Sequence, residues 1–291
     1  MSSDIMPMTE PRPRRQRSQG SGVADAALLF DEPGPRGRIL IAIGSVVAVI
    51  GIAALAAAVL YRLDLAGQLD YPKWRYFLGQ SVVSQLLEAA GTTLTLGGVA
   101  AVLTFPLGIA LGWLRLLDNR PIKWLIGLWI DAMRAVPMLL LVYFFLLVVP
   151  RFATISDFWK LALPIVMCTS ATTAEVFRSG VRALDRGQTE AAWALGMSPS
   201  LTMRLILAPQ ALRLMLPTLI TQMVTIIKGT TLAYVLAYPE LMYRGSTMIG
   251  QAKIDAHLSV FFQTYVIIAL LYIIVNWSLG ALARYIESRT R

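Results

Sequence analysis

Residues 187–209 read GQTEAAWALGMSPSLTMRLILAP, a polar, alanine-rich stretch broken by Gly196 and set between long apolar runs. Thr189 is placed to cap a short helix running through Leu195, with Glu190 near the positive end of its dipole. Gly196 stops that helix, because glycine accepts the left-handed conformation a helix end requires. Ser198 followed by Pro199 then supplies an N-cap and a first-turn proline for a second helix through Leu201, Met203, Leu205 and Ile206. The reading is helix, sharp glycine turn, helix. Ala191 and Ala192 leave one face of the first helix small, so a partner can approach its backbone closely, as when a short helix docks into a groove. At this level a plain connector between two spans remains the alternative.

The sequence around this stretch is that of a membrane protein. Of 291 residues 56% are hydrophobic and only 15% charged, and the apolar residues gather in long runs. Ile39 to Leu60 is a run of 22 uncharged residues; at roughly 1.5 Å per residue it covers about 30 Å of hydrocarbon. Ala89–Leu114 and Leu258–Ala283 are uncharged runs of 26 residues each. Less pure spans lie near Trp124–Pro150, Lys160–Arg178 and Leu214–Tyr238. The expected fold is all-α, an integral membrane helical bundle of about six transmembrane helices.

Charge orients the bundle. With the N-terminus inside, seventeen Lys and Arg residues fall on the cytoplasmic side and seven on the other. Both termini and the 187–209 stretch are then cytoplasmic. The net charge of +9 is spread over every cytoplasmic loop, without a single basic stripe of interleaved aromatics, which points to anionic membrane lipid and away from nucleic acid. The one cysteine, Cys168, lies inside an apolar span, so this sequence holds no disulfide, and no metal site is expected. His257, the single histidine, is assigned to the surface near the outer end of the last span.

Four segments follow: a disordered basic tail at 1–37, an uncleaved N-terminal anchor at 38–61, an external amphipathic segment at 62–88 bearing Trp74, Tyr76, Phe77, Leu86 and Leu87, and a transmembrane domain at 89–291. Gly108 and Gly112 form a GxxxG spacing that favours close helix packing, within the subunit or across a dimer.

Glu190, Ala191, Ala192, Gly196, Ile206 and Pro209 stand at the spacing of the EAA loop of ABC importer permeases, with Ala208 where that pattern usually has Leu. AEVFRSG (174–180), PQALRLMLP (209–217), KGTTL (228–232), TTLTL (92–96) and RAVP (134–137) resemble the polar amino-acid branch. The extra first span, LLFDEPGPRGR and AGQLDYPKW resemble the longer permease subunit of actinobacterial glutamate importers. The resemblance implies a type I ABC importer permease fold with an extra N-terminal span, in the bacterial inner membrane. It implies that Gly187, Glu190, Ala191, Ala192, Gly196, Met197 and Ser198 form the helix that couples to an ATPase. It also implies partners: an ATP-binding cassette ATPase dimer holding ATP and magnesium, a second, non-identical permease, and an extracytoplasmic solute-binding protein delivering an amino acid, glutamate or aspartate. No GxxxxGK[ST] run occurs, so no cofactor is expected on this chain and no enzyme activity is assigned to it. Gly229 stands where the family commonly has an acidic or amide residue.

Ionisable residues inside spans are costly and need an aqueous path, a bundle interior or a partner. Arg134 offers a two-donor match to a carboxylate and Lys228 a point charge, and with Thr230 of KGTTL they are the candidate substrate pathway. Asp131 with Arg134, and Glu175 with Arg178, lie three apart on helix faces, so local pairing is the favoured reading for Asp131, Glu175 and Arg178. Pro137 kinks the third span, as a hinge or as ordinary packing. Two further classes stand beside the importer: an ion-coupled secondary transporter, and an intramembrane enzyme using Asp131 or Glu175. The latter lacks HExxH, GxSxG or paired intramembrane aspartates.

Overall fold

A computed structural model describes residues 34–290. Residues 1–33 of the expected basic tail lie outside the described residues. The chain divides into two compact units, 1–66 and 67–291. In the first, α1 spans Pro35–Leu65, opening on a first-turn proline that suits a helix start, and its most apolar 18 residues have a mean hydropathy of 2.8. It covers residues 38–61, the stretch expected as an anchor.

The second unit runs α2 (Tyr71–Arg75), α3 (Gln80–Leu114), α4 (Arg120–Ala135), α5 (Met138–Leu147), α6 (Asp157–Arg182), α7 (Arg186–Ala194) and α8 (Pro199–Thr202). It continues through a π-helical turn at Met203–Leu207 into α9 (Ala208–Gly229), then a 3₁₀ stretch (Thr230–Leu236), α10 (Leu241–Asp255) and α11 (Phe261–Thr290). Among the described residues there is no strand.

Four helical stretches are long and apolar enough to cross a membrane: Pro35–Leu65, Gln80–Leu114, Pro199–Leu236 and Phe261–Leu282. The pair Arg120–Ala135 and Met138–Arg151, bent by 95°, makes a fifth if it is counted as one span. The remaining expected segment is α6, whose 26 residues have the length but, with its threonines and serines, not the apolar composition. The reason is position: α6 is the most covered helix of the bundle, burying thirteen residues from Leu161 to Gly180, so its surface meets other helices more than lipid.

Close approach of α3 and α6 depends on small residues. A Cβ on Gly108 would lie 2.5 Å from Thr173 Cβ, and one on Gly112 would lie 2.6 Å from the Ala174 carbonyl oxygen. The GxxxG pair therefore packs within the subunit. Thr104 and Thr169 hydrogen-bond across the same contact at 2.8 Å, in full burial.

Two expected elements differ in form. Trp124–Pro150 reads as one kinked span but is two helices. Val136, preceding a proline, is pushed to the extended φ −75°, ψ 128°, and Pro137 begins a new helix as its N-cap at φ −58°, ψ 127°. The segment expected at 62–88 is not one amphipathic stretch: α1 runs to Leu65, α2 and a 3₁₀ turn through Leu78 follow, and Gln80 onward already belongs to α3. Phe77, Val82 and Leu86 pack with Met248, Ala252 and Val260, which ties this end of α3 to α10, whereas Leu87 is exposed.

Candidate functional site

The loop at 187–209 is built by local signals. Asp185 caps α7, its carboxylate accepting the Gly187 N–H at 2.7 Å, so the helix starts three residues before the expected cap Thr189. Thr189 and Glu190 consequently lie inside the helix. An Asp before Arg186-Gly187 is itself a capping signal, overlooked because Thr189 stood next to Glu190. At the other end Gly196 has φ +76°, and the N–H groups of Gly196 and Met197 reach back to the carbonyls of Trp193 (2.9 Å) and Ala192 (3.1 Å). That double closure is a Schellman motif. Ser198 Oγ then accepts the Leu201 N–H at 3.4 Å, and Pro199 opens α8.

The second helix does not end in the loop. It runs from Pro199 through the π turn and α9 to Leu236, 38 residues in all. Pro209 is tolerated because it sits in the first turn of α9, directly after the π turn, where the regular ladder is already interrupted. The loop is thereby continuous with a helix of the bundle.

The loop exposes large apolar side chains among its polar ones. Trp193 is 56% exposed, Leu195 82% and Leu205 63%, while Ala192 is buried at 1%. Ala192 therefore packs inward and does not offer the small outward face expected of it; Ala191 and Glu190 are exposed.

Near the C-terminal end of α6 the charges form one connected cluster. Arg115, at the end of α3, pairs with Asp131 of α4 at 3.2 Å and with Glu175 of α6 at 2.9 Å, and Glu175 also pairs with Arg178. Three helices are tied through one guanidinium. The expected Glu175–Arg178 pair is present, whereas Asp131 pairs with Arg115 and not with Arg134, because the cluster lies on the face of α4 turned to α3 and α6. Arg115 escaped the sequence reading since its partners are 16 and 60 positions away.

Arg134 is exposed at the rim of a cavity of about 400 Å³ that also includes Thr172, Glu175, Ser179 and Thr218. Lys228 is exposed and makes no ion pair among the described residues, and neither it nor Thr230 lines that cavity. Thr230 is fully buried, its hydroxyl donating to the Ile227 carbonyl at 2.7 Å. A further buried group is Glu240, which accepts from the N–H groups of Met242 (2.9 Å) and Tyr243 (2.8 Å) and from the Tyr272 hydroxyl (2.9 Å), fastening the start of α10 to α11. Cys168 is buried, and His257 is exposed at φ 50°.

Residues 104–291 match the family model described as binding-protein-dependent transport system inner membrane component. The chain is 34% identical to the probable glutamine ABC transporter permease GlnP of Bacillus subtilis, over 68% of this chain and 89% of that one. It is 34% identical to the glutamate transport system permease GluD of Corynebacterium glutamicum, over 77% of this chain and 82% of that one. A crystal structure of an amino acid ABC transporter with histidines superposes with a TM-score of 0.64 at 24% identity, covering 72% of this chain and 95% of that one. With the bundle, the bent helix pair and the glycine-turned loop in place, these matches establish that the chain is a multi-pass membrane protein belonging to the ABC importer permeases, the inner membrane components of binding-protein-dependent transport systems.

Proposed function

We propose that this chain is the permease subunit of an ATP-driven importer of glutamate and aspartate, working by alternating access. The observation that carries the ATP-driven part is the loop itself: a Schellman-closed helix presenting exposed Trp193 and Leu195, joined by one turn to a helix that enters the bundle. Exposed apolar side chains on a rigid loop call for a protein partner, and the chain contains no phosphate-binding GxxxxGK[ST] run of its own. The engine is a separate ATPase dimer holding ATP and magnesium, docked on Gly187, Glu190, Ala191, Gly196, Met197 and Ser198, with Ala192 supporting from inside. A non-identical second permease and an external solute-binding protein complete the assembly.

Two features support an acidic cargo. One is the relative named for glutamate, GluD of Corynebacterium glutamicum. The other is Arg134, an exposed guanidinium without an ion pair among the described residues at the rim of a 400 Å³ cavity, suited to a substrate carboxylate. Lys228 provides a second cation on the pathway, and Thr230, its hydroxyl engaged, holds the turn that follows α9.

The test is uptake of radiolabelled glutamate by host cells with the gene present or deleted, with excess unlabelled aspartate, glutamine or arginine as competitors. Loss of an ATP-dependent, aspartate-sensitive component supports the proposal. Uptake that survives deletion discards glutamate as cargo. Activity of the chain alone on an ion gradient would instead make it a secondary transporter.

A further inference from the structure

The charged cluster borders a cavity of about 370 Å³ whose lining includes Arg115, Lys123, Trp124, Asp131, Arg178 and Arg182. Arg115 and Arg178 are neutralised by Asp131 and Glu175. Lys123 and Arg182 make no ion pair among the described residues, so two uncompensated cations from α4 and α6 face the same space. Beside them Trp124 is 69% exposed. Half a turn around α4, at about 100° per residue, Leu125, Ile126 and Trp129 line a second cavity of about 440 Å³ with Leu107, Leu111 and Met167. One short helix thus carries a cationic pocket on one face and a hydrocarbon-lined pocket on the other, at the end of the bundle where the basic residues gather.

We propose that the cationic cavity holds the phosphate of an anionic phospholipid of the cytoplasmic leaflet, gripped by Lys123 and Arg182, with α4 lying in the interface and its apolar face against the acyl chains. An interfacial helix has this division of faces, and an exposed tryptophan at headgroup level completes it. A soluble anion would explain the two cations but not the apolar pocket behind them. A docked protein would explain the cations but not the apolar pocket behind them; the glycine-turn loop has its own cavity, lined by Asp185, Arg186, Thr189 and Leu207, which meets this one at Arg182. The site needs only a chain seated in a bilayer and is independent of which cargo is carried.

The experiment uses the transporter purified through a tag on this chain, equilibrated with mixed phosphatidylglycerol and phosphatidylcholine micelles and examined by native mass spectrometry. Wild type retains phosphatidylglycerol in preference to phosphatidylcholine. The Lys123→Gln/Arg182→Gln variant loses that preference by about 25-fold, about fivefold for each cation removed. Arg213→Gln, another exposed cytoplasmic arginine outside the cavity, leaves it unchanged, and Lys123→Arg/Arg182→Lys restores it, which separates lost charge from lost folding. Equal phosphatidylglycerol retention by wild type and the glutamine variant overturns the proposal. So does complete displacement by millimolar inorganic phosphate, which makes the cavity a free-anion site, or loss of a co-purifying subunit with lipid retention unchanged, which makes it a protein contact.

Discussion

Gly196 is the residue on which the loop turns. At φ +76° a side chain would press Cβ against the following carbonyl, at a cost of about 1–2 kcal/mol. Open space around its Cβ position means that the penalty is purely conformational. Gly196→Val should therefore insert normally yet lower uptake at least tenfold, and Gly196→Asn, which tolerates the left-handed region, should recover most of it. Transport by the valine variant at the wild-type rate would remove the turn from the coupling path. The charged cluster allows a second comparison. Glu175 serves two arginines in a mostly covered position, whereas Asp131 is 59% exposed. Glu175→Gln should cost about 1–3 kcal/mol and Asp131→Asn less than about 1 kcal/mol, read as thermal unfolding of the solubilised protein; equal losses would contradict the hub geometry. The glycine and Ser198 signals were legible because capping is written within a few residues. Asp131's partner was not, since Arg115 sits at the far end of another helix and only packing brings the two together.

At the scale of the element, the long uncharged runs located the helices and hid their angles. Pro137 signalled an interruption, but a proline in a membrane helix gives a gentle kink or a full break depending on whether neighbours take up the freed backbone groups. Here the break is 95°, and it converts an expected span into an amphipathic α4 followed by an apolar α5. α6 shows the opposite case: its polar composition weakened it as a span because burial by neighbours, invisible in one sequence, removes the need for apolar residues. The glycines sort by what they meet. Gly108→Leu or Gly112→Leu would drive a side chain into α6 and should destabilise the bundle by about 1–3 kcal/mol or more. Gly98→Leu, on the same helix with nothing within 4 Å, should be close to neutral. Thermal unfolding in detergent distinguishes them, and a Gly98 variant as damaged as the Gly108 variant would mean that the open surface of α3 at Gly98 is also packed, as a permease–permease contact would require.

For the whole molecule, function depends on which end faces the cytoplasm. An ATPase can dock on Trp193 and Leu195 only if the 187–209 loop is inside, and the anionic-lipid site at Lys123 and Arg182 needs the same orientation. The excess of basic residues on that side is the sequence's statement of it. Cysteine labelling can decide it cleanly, because the one native thiol, Cys168, is buried and can be replaced by serine. In that background Leu195→Cys, at an 82% exposed position of the loop, should react with a membrane-impermeant maleimide only after the cells are permeabilised. Tyr71→Cys, 67% exposed on α2, should react in intact cells. The two positions lie in the same compact unit but at opposite ends of the spans between them, so their labelling must be complementary in either orientation. The reverse pattern would leave the fold intact, but it would place the loop outside, where no ATP-driven subunit could reach it, and the coupling assignment would fall with it.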